Sequence, residues 1–238
     1  MILSKIDSKL NGLLAEVSFE EDFSGKIGQS IVLRIKGLGS KRAVLIGLGQ
    51  SPSTTVLFKG FNEAVVVAAK SAQASNVAIV LASSEGLSSE SKLSTTFAIS
   101  YGVVLGLFED HRYRLESKKS TLRSIGIIGL GTGPELEKKL KYAEDVSSGI
   151  IFGRELVNFP ANVLTPEEAS KVTSTYNDVF TAKILDVEQC KELKMVSYMG
   201  VVVASTNPPH FIHICYKPPS GPVNVKLALV GKGLTFDR

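Results

Sequence analysis

The sequence is short of the features that would assign a function class at a glance. No apolar run approaches the roughly 18 residues a helix needs to cross a bilayer, because Gly, Ser and Lys interrupt every hydrophobic stretch. There is no N-x-Ser/Thr acceptor and no apolar h-region behind the opening Met-Ile-Leu-Ser-Lys-Ile-Asp, and acidic residues arrive too early for a transit peptide. Only two cysteines occur, Cys190 and Cys215, both in apolar surroundings. That excludes a disulfide framework and predicts buried free thiols in a reducing compartment. Basic residues outnumber acidic ones, 27 against 23. They are scattered, with no basic run interleaved with aromatics, which argues against nucleic acid as the main partner. An intracellular protein with neither a nucleic-acid nor a membrane partner is the expectation.

What is present is a chain of 238 residues, 44% hydrophobic and 21% charged, long enough for one large or two smaller globular domains. Strand-like and helix-like patterns alternate. The short β-branched runs at 30–35 and 42–47 read as strands. Between 58 and 72 the apolar residues Phe61, Ala64, Val65, Ala68 and Ala69 recur at helical spacing. The continuous apolar run 76–81 reads as a strand covered on both faces. Residues 91–108 read as a helix with Phe97, Tyr101, Val104 and Leu105 on one face, and 124–129 as another strand. This alternation predicts a three-layer α/β domain with a mixed, largely parallel sheet over residues 1–133.

Pro134, followed by Glu135 and Glu137, opens a long helix to Val157 that reads as a domain connector over 134–158. Residues 159–238 then begin a second α/β segment. Thr165-Pro166-Glu167-Glu168 is a helix start, with Thr as cap and Pro in the first turn. Strands are expected at 180–185, 210–216 and 226–230, a short helix at 187–194 and a turn at 218–222. The last strand would leave an open sheet edge, so 160–238 is expected to be marginally stable.

Most candidate motifs have a plain structural explanation. Gly129-Leu-Gly-Thr-Gly133 and Gly47-Leu-Gly49 follow strands, but their spacing is not that of a dinucleotide loop, and they read as turns needing positive φ. Gly231-Lys-Gly233 lacks the spacer and the Ser/Thr of a P-loop. His210 and His213 fall on opposite faces of a strand and cannot readily share a metal, and His111 lies in a polar loop. Lys232 and Asp237 stand apart, because a strand that delivers a lysine and a carboxylate to its C-terminal end through a glycine-framed turn suits a binding or metal role.

Val230-Gly-Lys-Gly-Leu-Thr-Phe-Asp237 resembles the signature of the leucyl aminopeptidase family, the M17 di-zinc metallopeptidases. Arg154-Glu-Leu-Val-Asn-Phe-Pro-Ala-Asn-Val-Leu-Thr-Pro166 resembles the passage from connector helix to catalytic domain in that family. Asn207-Pro-Pro-His-Phe-Ile-His-Ile-Cys-Tyr-Lys217 is similar to plant members. The likeness is specific from about Arg154 to Asp237 and looser, by architecture, over 1–150. It implies a hexameric aminopeptidase of cytoplasm or plastid stroma that acts on peptides and removes N-terminal residues, leucine among them. It implies two divalent ions, Zn or Mn, with Lys232 as the lysine at the more exchangeable metal and Asp237 as a carboxylate ligand. A ligating lysine must lose its proton, which burial and neighbouring dications favour.

The departures from the family pattern are equally specific. Arg238 stands where the family continues with Ser, and no Asn-Thr-Asp-Ala-Glu-Gly-Arg run occurs in the chain. The expectation is therefore a chain truncated within the first metal-binding motif and not competent as a peptidase alone, since two ligands do not hold two closely spaced dications. Two other readings are open: a non-catalytic interaction or assembly subunit built from the N-terminal region, and a phosphate- or nucleotide-binding domain in 1–150 that uses the glycine loops.

Overall fold

A computed structural model of the chain describes residues 2–36, 38–50, 60–82, 86–112, 121–174, 179–203, 205–218, 220–221 and 225–233. It divides into two compact units, Met1–Arg154 and Glu155–Arg238. The first contains α1 (Ile2–Lys9), α2 (Leu13–Glu20), β1 (Ser30–Arg34), β2 (Arg42–Ile46), α3 (Asn62–Ser71), β3 (Asn76–Val80), α4 (Ser89–Leu107) and β4 (Ser124–Ile128). The helix α5 (Pro134–Val157) contains the division between the units. The second unit continues with α6 (Pro166–Ser174), β5 (Phe180–Leu185), α7 (Val187–Glu192), α8 (Val196–Val202) and β6 (Phe211–Tyr216).

The first unit has two hydrophobic cores. In one, Leu10 and Leu14 from the α1–α2 hairpin pack on Leu33 and Ile35, with Ile31, Ala43 and Leu45 around them. The strands beneath are an antiparallel pair in which Ser30 faces Ile46. Asp7 Oδ1 accepts the Leu14 backbone N–H at 2.8 Å, tying the first helix to the start of the second. Neither helix is among the sequence expectations above, although Ile2, Ile6, Leu10, Leu14 and Val17 recur every three or four residues.

In the other core, β3 and β4 pair in parallel, Asn76 facing Ser124, with α4 as the crossover. Helices α3 and α4 cover one face of this pair: Val65, Val66, Ala98, Ile99 and Val103 pack on Ile79 and Leu81. Ile99 and Val103 are fully buried, each contributing on the order of 1.5–3 kcal/mol of apolar burial. The continuous run 76–81 is not covered on both faces among the described residues: Val77, Ile79 and Leu81 turn inward while Ala78 is exposed. The buried stripe of α4 also differs from the expected one. It runs through Ala98, Ile99 and Val103, and Val104 is exposed, because the small residues Ala98, Gly102 and Gly106 bring α3 close along that line.

Helix α5 spans the residues expected of it and is mostly a solvated surface, with Ala143 and Ser147 buried beneath. The exposed Lys141 reaches Asp145 at 3.0 Å and Glu144 at 3.3 Å, and these carboxylates, Asp145 first, hold its ammonium above the ordinary lysine range.

In the second unit β5 and β6 pair antiparallel, Phe180 facing Tyr216. The expected α6 start is in place, with Thr165 Oγ1 accepting from Glu168 N at 3.4 Å. A capping box opens α7: Asp186 accepts from Gln189 N at 2.9 Å and the Gln189 side chain accepts from Asp186 N at 3.1 Å. Apolar burial is sparse, with Leu185 and Cys190 the buried hydrophobics among the described residues. The expected strand 226–230 does not form. The segment is extended and exposed, with Leu227, Leu229 and Val230 at 82%, 89% and 98% of full exposure. A strand exists only where a neighbour takes up its N–H and C=O groups, and none of the described residues does so.

Mixed α/β architecture is as the sequence implied, and parallel pairing among the described residues is confined to β3–β4. No helix among the described residues is long and apolar enough to cross a membrane.

Candidate functional site

Lys232 lies in the extended, exposed stretch 225–233 and has no carboxylate partner among the described residues. Asp237 lies outside the described residues. Gly231 and Gly233, expected to bend the chain around Lys232, have open space beside them and no left-handed φ. Among the described residues no three His, Cys, Asp or Glu side chains converge as metal ligands. A structural zinc needs about four donors and a catalytic one about three. One amine and one carboxylate fall short of that, so Lys232 and Asp237 do not by themselves fit a pair of ions.

The other candidates resolve simply. Gly129, Gly131 and Gly133 have φ of 92°, 100° and 124°, so this loop is glycine-rich because its backbone is left-handed. His213 lies on β6 with its Nε2 3.6 Å from Cys215 Sγ, while His210 sits before the strand with Nδ1 3.2 Å from the Pro208 carbonyl. His111 Nε2 faces Glu109 Oε2 at 3.3 Å. Cys190 is fully buried, and that burial, with Asp186 nearby, pushes its thiol above the ordinary range.

One concave site emerges that no motif announced. A cavity of about 780 Å³ in the first unit is lined by α3, α4 and α5. Val66, Val67, Phe97, Leu105 and Val146 give it apolar walls, and Glu63, Lys70 and Arg154 bring charge to it. Lys70 pairs with Glu109, and Arg154 Nη1 donates to the Leu105 carbonyl at 2.9 Å. These residues are far apart in sequence and only the packing of three helices unites them, so spacing carried no signal of the site.

The chain matches the cytosol aminopeptidase family twice, by its N-terminal domain over residues 3–119 and its catalytic domain over residues 151–238. The chain belongs to that family, peptidase family M17. It is 65% identical to a chloroplastic neutral leucine aminopeptidase of Solanum lycopersicum, over 99% of this chain and 42% of the relative. It is 68% identical to the chloroplastic leucine aminopeptidase 2 of Arabidopsis thaliana, over 99% of this chain and 41% of that protein. A solved structure of a tomato leucine aminopeptidase, carrying a lysine-to-glutamate substitution, superposes with a TM-score of 0.89 at 57% identity. It covers 99% of this chain and 47% of the tomato chain. The chain thus spans less than half the length of these relatives, and the family's aminopeptidases are metal-dependent.

Proposed function

We propose that these 238 residues form the N-terminal domain, the connector helix and the opening of the catalytic domain of a metal-dependent leucine aminopeptidase. The reading places the domain boundaries at 1–133, 134–158 and 159–238. The activity is release of N-terminal residues, leucine among them, from peptides in intracellular protein turnover. The identity of 65–68% over 99% of the chain to plant leucine aminopeptidases is the observation that carries it. Lys232 and Asp237 would each give one donor to a pair of Zn or Mn ions, and the remaining donors would come from outside these residues. The 238-residue chain alone is then inactive. A hexamer is the expected assembly, and the chloroplastic relatives favour the plastid stroma over the cytoplasm.

The test is a chimaera that joins residues 1–238 to the remaining length of the Solanum neutral leucine aminopeptidase. With Mn²⁺ it should hydrolyse leucyl-anilide, and Lys232→Ala or Asp237→Ala should lower kcat by at least about 100-fold, in line with removal of a metal-site group. The chain alone should show no turnover and no stoichiometric metal. A folded chimaera without activity, or one indifferent to both substitutions, would refute the assignment.

A second reading, an assembly subunit, draws on the contrast between a well-packed first unit and a second with many exposed apolar side chains. It requires the chain to run with a larger complex on native size exclusion. Elution as a free monomer would exclude it.

A further inference from the structure

We propose that the cleft between α3, α4 and α5 binds a short zwitterionic peptide, of two or three residues, with an apolar side chain. Its volume, about 780 Å³, lies within the range of small-molecule sites. The decisive feature is the order of charge along it. Glu63 and Lys70 both line the cleft from α3, seven residues apart, which is about 10 Å along a helix rising 1.5 Å per residue.

The packing of α3 on α4 sets the level of every other group. Asn62, beside Glu63, donates to the Ala98 carbonyl at 3.4 Å and sits against Gly102. One turn on, Val66 packs against Gly106. Lys70, a further turn on, meets Glu109. The two helices therefore run side by side in the same direction. Arg154, anchored on the Leu105 carbonyl next to Gly106, stands at about the level of Val66, between Glu63 and Lys70. The cleft has an acidic group at Glu63, with Arg154 about one helical turn and Lys70 about two turns further along.

No cation pairs with Glu63 among the described residues, so an ammonium group finds a carboxylate there. Lys70 is already neutralised by Glu109. The guanidinium of Arg154, with one of its five N–H donors spent on Leu105, is then the natural seat for a carboxylate. A free amino acid holds its two charges on one carbon, whereas a peptide separates them and reaches further along the line from Glu63 towards Lys70. An extended peptide gains about 3.3–3.6 Å per residue, so two or three residues span the gap. Val66, Phe97 and Leu105 between the charged ends offer apolar contact for a side chain such as leucine. The charges and spacing of the cleft carry this inference, whatever the hydrolytic activity of the protein.

The test is an NMR titration of the 238-residue protein in metal-free buffer with the tripeptide Ala-Leu-Gly. Saturable shifts are expected at the amides of Val66, Gly102 and Leu105. N-acetylation or C-amidation of the tripeptide, and Glu63→Gln or Arg154→Met in the protein, should each weaken binding by about 10-fold or more. Unchanged amide shifts at Ile99 and Val103 would confirm that both variants remain folded. Absence of saturable shifts, or equal affinity for the free, acetylated and amidated forms, would overturn the proposal. Free leucine binding as tightly as the tripeptide would overturn the spacing on which it rests. Because the readout is binding without metal, an inactive chimaera leaves this inference standing, and failed binding leaves the aminopeptidase reading standing.

Discussion

Gly102→Ala should destabilise the first unit, against the general rule that alanine improves a helix. Replacing Gly by Ala in a helix interior gains about 0.5–1 kcal/mol of propensity. Here the new Cβ would overlap the side-chain amide of Asn62. That amide is 2% exposed and donates to the Ala98 carbonyl at 3.4 Å, so it has little room to retreat. Overpacking of this kind costs about 1–3 kcal/mol, and a displaced buried amide costs about 1–3 kcal/mol more if it loses its partners. The net expectation is a loss of about 1–5 kcal/mol after the propensity gain is subtracted. Gly149→Ala on α5 is the control: nothing lies near its would-be Cβ, so it should gain the propensity term alone, about 0.5–1 kcal/mol. The chain has no Trp, and two units need not unfold together, so a single optical transition is a poor measure. Native-state amide exchange at Ile99 and Val103, both fully buried in this core, reads the effect directly. Adding Asn62→Ala to Gly102→Ala should recover part of the loss, because the overlap disappears. Faster exchange for Gly149→Ala than for Gly102→Ala, or no recovery in the double variant, would refute the close α3–α4 approach.

Other expectations follow from single features. Cys190 should resist a thiol reagent in the native protein while Cys215 reacts, since burial keeps the Cys190 thiol protonated. Raising the pH above the ordinary thiol value of 9.0 should destabilise the native state through Cys190, because the unfolded chain loses that proton first. A Cys190→Ser variant with an unchanged alkaline profile would contradict this. Asp186→Ala removes the capping box of α7 and should cost about 1 kcal/mol, seen as faster exchange at Gln189 and Cys190, with Asp186→Asn nearly neutral. Leu227 and Leu229 amides should exchange near their unprotected rate, and protection equal to that of Ile79 would show that the segment is paired after all.

Local chemistry made much of this fold legible. Pro134 with two acidic residues behind it marked the start of α5, and Thr165-Pro166 marked α6, because caps and first-turn residues act within a few positions. The strands expected at 180–185 and 124–129 are present as β5 and β4. Val196–Val202 carries no helical signal in its sequence, since Val favours a strand and tertiary context overrides so weak a preference. Residues 226–230 carry the same kind of run and predict a strand, but a strand is a property of two segments and the run states only one. The candidate metal residues came from a motif and not from geometry, and the described residues bring no partner to Lys232. The cleft of Glu63, Lys70 and Arg154 was invisible for the opposite reason: its residues carry no motif, and only the register of α3 on α4 assembles them.

The same contrast bears on where the second unit gets its stability. Val225, Leu227, Leu229 and Val230 are each more than four-fifths exposed, as are Val157 and Val203. Fully burying a Val or Leu side chain contributes about 1.5–3 kcal/mol, so the four in 225–230 alone leave on the order of 6–12 kcal/mol unrealised. That is comparable to the whole net stability of an ordinary domain, about 5–15 kcal/mol. A surface that covers 225–230 would therefore decide whether the second unit is marginal or secure, whereas the first unit has two hydrophobic cores of its own. Lys232 follows directly on that segment. Ordering of residues 225–230 and completion of a metal site at Lys232 are therefore expected to be coupled. Exchange protection at Leu227 and Leu229 should rise together with metal affinity in the chimaera, and protection gained without metal binding would separate the two.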